Sequence, residues 1–157
     1  MANVMSPPTA VREALRGALP TLSPRTWAIL DALVTSDAST ACARAAARRQ
    51  GLRDRFALRR LLRADGLPPP HELADWIRIL LWVNDYEGHP TSLFRLAGQY
   101  HLHPAVCYRA VKRLTGLRWT DVRVRGVDWV LGALLDRCGA LSGASITRIR
   151  RAGRRAD

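Results

Sequence analysis

Only one of the 25 basic residues of this 157-residue chain is a lysine, Lys112, and only 13 residues are acidic. No apolar stretch approaches the roughly 18 residues that a membrane-spanning helix requires, so a membrane protein is not expected. Met1 to Pro8 carries neither a basic residue nor an apolar block, so no secretory leader is expected either. The three cysteines, Cys42, Cys107 and Cys138, are odd in number and widely spaced, which matches neither a disulfide framework nor a zinc pattern. The acids are scattered and no glycine-rich phosphate loop is present, so no enzyme and no cofactor is expected. What remains is an intracellular chain with 48% apolar residues, enough for a packed core, and a net charge of +12.

The charge is not spread evenly. Residues 1–39 are neutral overall, 40–66 carry +6, 70–88 carry −3, 91–125 carry +6, 126–138 carry −1 and 139–157 carry +4. Coding bias accounts for arginine in place of lysine, but not for this alternation. Two positive lobes separated by a negative bar suit a polyanion touched in two places.

The two lobes are also an internal repeat. Shifted by 50 residues, the chain matches itself at Ala47/Ala97, Leu52/Leu102, Arg59/Arg109, Arg63/Arg113, Gly66/Gly116 and Leu67/Leu117. Each copy reads as a short helix, a tight turn and a second helix. In the second copy, Thr91 or Ser92 caps a helix with Leu93, Leu96, Ala97 and Tyr100 on one face. A turn at His101-Leu102-His103 leads to Pro104 at the first helical position, and Cys107, Ala110, Val111 and Leu114 point inward before Gly116 ends the helix. The first copy repeats the scheme with Ala43, Ala46 and Ala47, a turn at Gly51-Leu52, an Asp54 cap, and inward Ala57, Leu61 and Ala64. Two such units, basic on the outer face of the second helix, predict paired helix-turn-helix motifs.

Three apolar helical segments bracket the units, and each carries a tryptophan near its start: Trp27, Trp76 and Trp129. The predicted fold is all-α, with two tandem helix-turn-helix units on a frame of three bracket helices. Residues 1–22 form an N-terminal extension (flexible or a short helix), 23–69 the first unit and 70–88 a linker helix. Residues 89–138 hold the second unit with its closing helix, and 139–157 a basic C-terminal tail, expected as a mobile arm. All five tryptophans are expected in the core.

These residues resemble the DNA-binding domain of the AraC/XylS-type transcription regulators over roughly residues 40–125. The first unit offers Ala47, Gly51, Leu52, Arg59, Leu61 and Gly66. The second offers Ala97, Leu102, Arg109, Val111, Lys112 and Gly116, followed by Trp119 and Arg123. The family usually has phenylalanines where Ala57, Leu61, Cys107 and Val111 stand, and a glycine where His101 stands. With 39 residues ahead of the first motif, no small-molecule effector domain is expected. The resemblance implies a bacterial, cytoplasmic, nucleoid-associated regulator of transcription that binds double-stranded DNA.

Arg59 and Arg109 are the foremost base-reading candidates, because arginine is the commonest bidentate partner of guanine. Arg55, Ala105, Val106 and Tyr108 lie on the same exposed flank, where an apolar side chain can meet a thymine methyl. Arg53, Arg60, Arg63, His103, Lys112, Arg113 and Arg123 are assigned to phosphates, which position a protein without reading sequence. His101, His103 and Cys107 lack a fourth ligand, so no metal site is expected. The competing reading is a DNA-binding or adaptor subunit of a larger complex, such as a mobile-element or defence system. A protein partner (RNA polymerase or that complex) fits either reading. Single-strand RNA binding is disfavoured because its readers usually expose aromatics as a stacking platform, and the tryptophans here are expected in the core.

Overall fold

A computed structural model describes residues 7–153, with side chains described for 8–142. Among the described residues there are eight helices and no strand: α1 (Pro7–Ala18), α2 (Pro24–Thr35), α3 (Thr40–Arg49), α4 (Arg55–Ala64), α5 (Pro70–Gly88), α6 (Leu93–Gln99), α7 (Pro104–Thr115) and α8 (Trp119–Gly153). The chain is all-α, and none of these helices is long and apolar enough to cross a membrane.

Local chemistry sets the helix starts. Side chains of Ser23, Ser39, Asp54 and Ser92 accept hydrogen bonds from the backbone N–H groups of Thr26, Cys42, Ala57 and Arg95, filling donors that a helix N-terminus leaves open. Pro24, Pro70 and Pro104 occupy first turns, where a missing N–H is harmless.

The core is built around α5. Leu73, Trp76, Ile77, Leu80 and Leu81 form one stripe, and buried Ile79, Trp82 and Val83 extend it around the helix. A helix apolar on nearly all sides must be enclosed, and α1, α2, α3, α4, α7 and α8 all pack on it. Each such fully buried Leu, Ile or Val contributes roughly 1.5–3 kcal/mol over its exposed state.

Three features narrow or correct the sequence expectations. The N-terminal segment, expected as flexible or a short helix, is a docked helix from Pro7 on: Val11 and Leu15 of α1 are buried, and Arg12 and Arg16 pair with Asp31 of α2 at 3.3 Å. Its apolar stripe docks on α5 and decides the matter.

The expected mobile arm after Cys138 is also revised, because the backbone of α8 stays helical through Gly153. Ser142 Oγ reaches the end of α4, where a Cβ added to Gly66 would lie 2.8 Å from it. Residues 154–157 lie outside the described residues.

Third, only Trp76, Trp82 and Trp119 are fully buried. Trp27 and Trp129 are half-buried, and the guanidinium groups of Arg16 and Arg125 cover their rings at 4.5 and 5.1 Å.

The closing helix carries a break. Gly126 has φ 85° and ψ 176°, a conformation a side chain would strain, and a Cβ there would come 2.6 Å from Glu87 Oε1. That oxygen accepts the Val127 N–H at 2.9 Å, so the end of α5 caps the restarted helix. Arg137 farther along α8 holds Glu72 of α5 through two hydrogen bonds of 2.7 and 3.1 Å. That guanidinium keeps the Glu72 carboxyl below its ordinary range, against the opposing effect of burial. Together these contacts pin α8 along the length of α5.

Candidate nucleic-acid interface

α3 and α4 form one helix pair, and α6 and α7 form another. In each, the second residue past the first helix's cap returns its N–H to the helix: Leu52 N to Ala47 O at 2.9 Å, and Leu102 N to Ala97 O at 2.8 Å. The residue before that leucine is left-handed in both pairs, Gly51 at φ 80° and His101 at φ 54°. From the end of the first helix to this leucine the two pairs run 50 residues apart, as the sequence repeat does.

Beyond it they do not. The first turn holds an extra residue, Arg53, before its cap Asp54, whereas His103 follows Leu102 directly and caps α7 by accepting the Ala105 N–H on Nδ1. Burial follows the caps. Leu58 and Leu62 are the fourth and eighth residues of α4, and Cys107 and Val111 are the fourth and eighth of α7; all four are buried. The inward stripe expected from Ala57, Leu61 and Ala64 is therefore corrected to Leu58 and Leu62. Two leucines bury more apolar surface than an alanine-rich stripe, and one extra turn residue rotates the helix to deliver them.

The rotation changes which side chains correspond. Counted from the caps, Arg59 stands where Tyr108 stands, Arg60 where Arg109 stands, and Arg63 where Lys112 stands. The sequence pairing of Arg59 with Arg109 does not survive in three dimensions.

All of the candidate residues on α4 are exposed or half-exposed: Arg53 in the turn, then Arg55, Arg59, Arg60 and Arg63. Arg55 lies 4.9 Å over the ring of Phe56, itself 54% exposed. Among the described residues, none of these five arginines has an acidic partner within ion-pair distance. Four arginines, Arg44, Arg48, Arg53 and Arg55, meet around a small cleft at the turn. The first two went unremarked in the sequence, although their i, i+4 spacing on α3 marks an outer face.

The α7 surface is different. Ala105, Val106, Tyr108 and Arg109 are exposed at its first turns. Lys112 Nζ, however, donates to the Gly116 carbonyl at 2.7 Å, and Arg113 donates to Asp75 of α5 at 2.5 Å. Asp75 also pairs with Arg78 at 2.7 Å, and Arg78 reaches the Ala38 carbonyl at 3.3 Å. Arg113 remains 63% exposed, so its bridge is a weak tether rather than a lock. A cleft of about 510 Å³ opens between α5 and α7, bordered by Asp75, Trp82, Leu102, Val106, Arg109 and Arg113.

Arg123 is not part of either surface. Its guanidinium packs 5.2 Å from the Tyr86 ring at the base of α5 and is half-buried. Among the described residues no group of three His, Cys, Asp or Glu side chains stands in metal-holding geometry. His101 occupies the turn, His103 the cap, and burial raises the Cys107 thiol above its ordinary value.

Chemically, the surface offers convergent guanidinium groups on one helix and a mixed apolar and cationic face on the other, both backed by the same core helix. No protein-family model, curated protein or solved structure matches this chain.

Proposed function

We propose that the chain is a sequence-specific double-stranded DNA-binding protein, a regulator of transcription with the paired helix-turn-helix arrangement of the AraC type. One observation carries the reading: a helix–turn–helix pair, buried at the fourth and eighth residues of its second helix and cationic outside, occurs twice around α5. A recognition helix presents its N-terminal residues to base edges in the major groove. α4 and α7 supply those residues: Arg55 and Arg59 on one, Ala105, Val106, Tyr108 and Arg109 on the other, with Arg60 moved from the phosphate set to the readers because it stands where Arg109 stands. Arg53, Arg63, His103, Lys112 and Arg113 flank them toward phosphates. α5 has 19 residues and so spans about 28 Å at 1.5 Å per residue, comparable to the roughly 34 Å between successive major grooves on one face.

Selection from random duplex DNA, followed by footprinting of the selected site, tests the proposal. A defined motif with one chain protecting about two helical turns is expected. A palindromic footprint that needs two chains would refute the single-chain tandem arrangement. The adaptor reading has its own support in Phe94 of α6 and Val124 of α8, 68% and 72% exposed, which belong to neither reading helix and suit a protein contact. Salt-sensitive binding without a motif would favour it.

A further inference from the structure

We infer that the two halves of the DNA site differ in chemistry, with a guanine-bearing half under α4 and a thymine-bearing half, holding one guanine, under α7. This rests on the proposed DNA-binding role and goes beyond it by naming what each helix reads.

The inference follows from the one-residue offset between the two turns. Paired through Arg59 and Arg109, as the sequence repeat has them, both helices would share a principal reader, and only the flanking Arg55-Phe56-Leu58 and Ala105-Val106-Tyr108 would set the half-sites apart. In the folded chain the first, second, fifth and sixth residues of α4 are Arg55, Phe56, Arg59 and Arg60, and those of α7 are Pro104, Ala105, Tyr108 and Arg109. Only the sixth position is arginine in both. At the fifth, a guanidinium fork that matches guanine O6 and N7 faces a phenol that cannot make that bidentate contact. At the second and third positions of α7 stand Ala105 and Val106, both exposed, and their methyl groups complement the C5-methyl of thymine. At the start of α4 the Phe56 ring supports the Arg55 guanidinium at 4.9 Å, which holds a planar donor ready at low entropic cost.

Electrostatics point the same way. The arginines of α4 have no acidic partner among the described residues, whereas Lys112 and Arg113 of α7 are drawn back to Gly116 and Asp75. Strong donors are concentrated on the first half-site.

The test uses the full chain. Selection from random duplexes should return two dissimilar halves about 10 base pairs apart. Arg59→Ala should erase a guanine preference in one half only, weakening the selected site about tenfold or more. Tyr108→Arg, at an exposed position, should keep the melting temperature and create a new guanine preference in the other half, at the base pair equivalent to the one Arg59 reads. Two like halves, or a Tyr108→Arg protein whose motif is unchanged, would overturn the inference while leaving DNA binding intact. Absence of any motif would overturn the inference and the regulator reading together. Circular dichroism of each variant separates a changed motif from a failure to fold.

Discussion

α4 and α7 are built on one backbone plan and differ in how their cations are kept. On α4, Arg59, Arg60 and Arg63 face solvent with no acidic neighbour in ion-pair range among the described residues. On α7, Lys112 closes its own helix and Arg113 leans on Asp75 of the core helix. The same helical plan therefore yields an open donor surface in one place and a partly internalised one in the other. A count of arginines does not measure the charge that a surface can offer; the reach of neighbouring acids does.

The largest expected effect tests the register that separates the two helices. Leu62→Ala should cost roughly 2–5 kcal/mol in urea unfolding, because Leu62 is wholly buried. Leu61→Ala, one residue away and half-exposed, should cost less than half of that. Equal costs would mean that α4 faces the core with the alanine-rich stripe after all.

Turn strain should give effects of opposite sign in the two pairs. Gly51 and His101 both adopt left-handed backbone. Gly51→Ala should then destabilise by about 1–2 kcal/mol, and His101→Gly should stabilise by up to about 1 kcal/mol. Thermal unfolding of both variants is the check. If both lowered stability, the shared turn geometry would be the wrong description.

The difference in cation availability is measurable as salt dependence of the proposed DNA binding. Arg63→Ala should flatten the slope of log affinity against log salt by about 0.9, the contribution of one phosphate contact. Arg113→Ala should flatten it by less, since Arg113 is shared with Asp75. Asp75→Asn should release Arg113 and steepen the slope. An unchanged slope in Asp75→Asn would show that the bridge does not withhold this cation.

The smallest effect concerns acid, and the two halves should respond in opposite senses. Burial disfavours the Asp65 carboxylate, but hydrogen bonds from Thr26 and Ser23 outweigh it and hold the group below its ordinary 3.8. A depressed acid stabilises the fold above its unfolded value, and that contribution is lost as pH falls through the folded value, below 3.8. Asp85 beside Tyr100 is raised instead, chiefly by burial, despite accepting the Tyr100 hydroxyl at 2.8 Å. Its contribution is complete below 3.8 and fades as pH rises through the raised value. Asp65→Asn should therefore reduce acid lability, and Asp85→Asn should raise the melting temperature at pH 7. A melting temperature of Asp85→Asn at or below the parent's at pH 7 would contradict the burial argument.

Much of the local structure was legible beforehand. Ser92 and Asp54 as caps, Pro104 at a helix start, Gly116 at a helix end and the apolar face of α6 could be named from residue type and spacing. So could the exposed flank of α7, because Cys107 and Val111 were recognised as inward. The register of α4 was not legible, since Ala57 with Leu61 and Leu58 with Leu62 are both helical stripes. Nor was the fate of Arg123, whose partner Tyr86 lies on another helix.

Sequence alone determined that this is an all-helical chain with two similar basic helix pairs, because capping, proline placement and 3.6-residue periodicity act within one or two turns. Only the tertiary structure decided which arginines correspond, which are tethered and how far the closing helix runs. Those outcomes depend on contacts between residues distant in the chain: Arg113 with Asp75, Val127 with Glu87 and Arg137 with Glu72, 38, 40 and 65 residues apart. They depend also on the space left beside α5, which two leucines fill better than two alanines and a leucine. A one-residue difference in a turn is nearly invisible in an ungapped repeat, yet it rotates a helix by about 100° at 3.6 residues per turn and exchanges the side chains on its outer face.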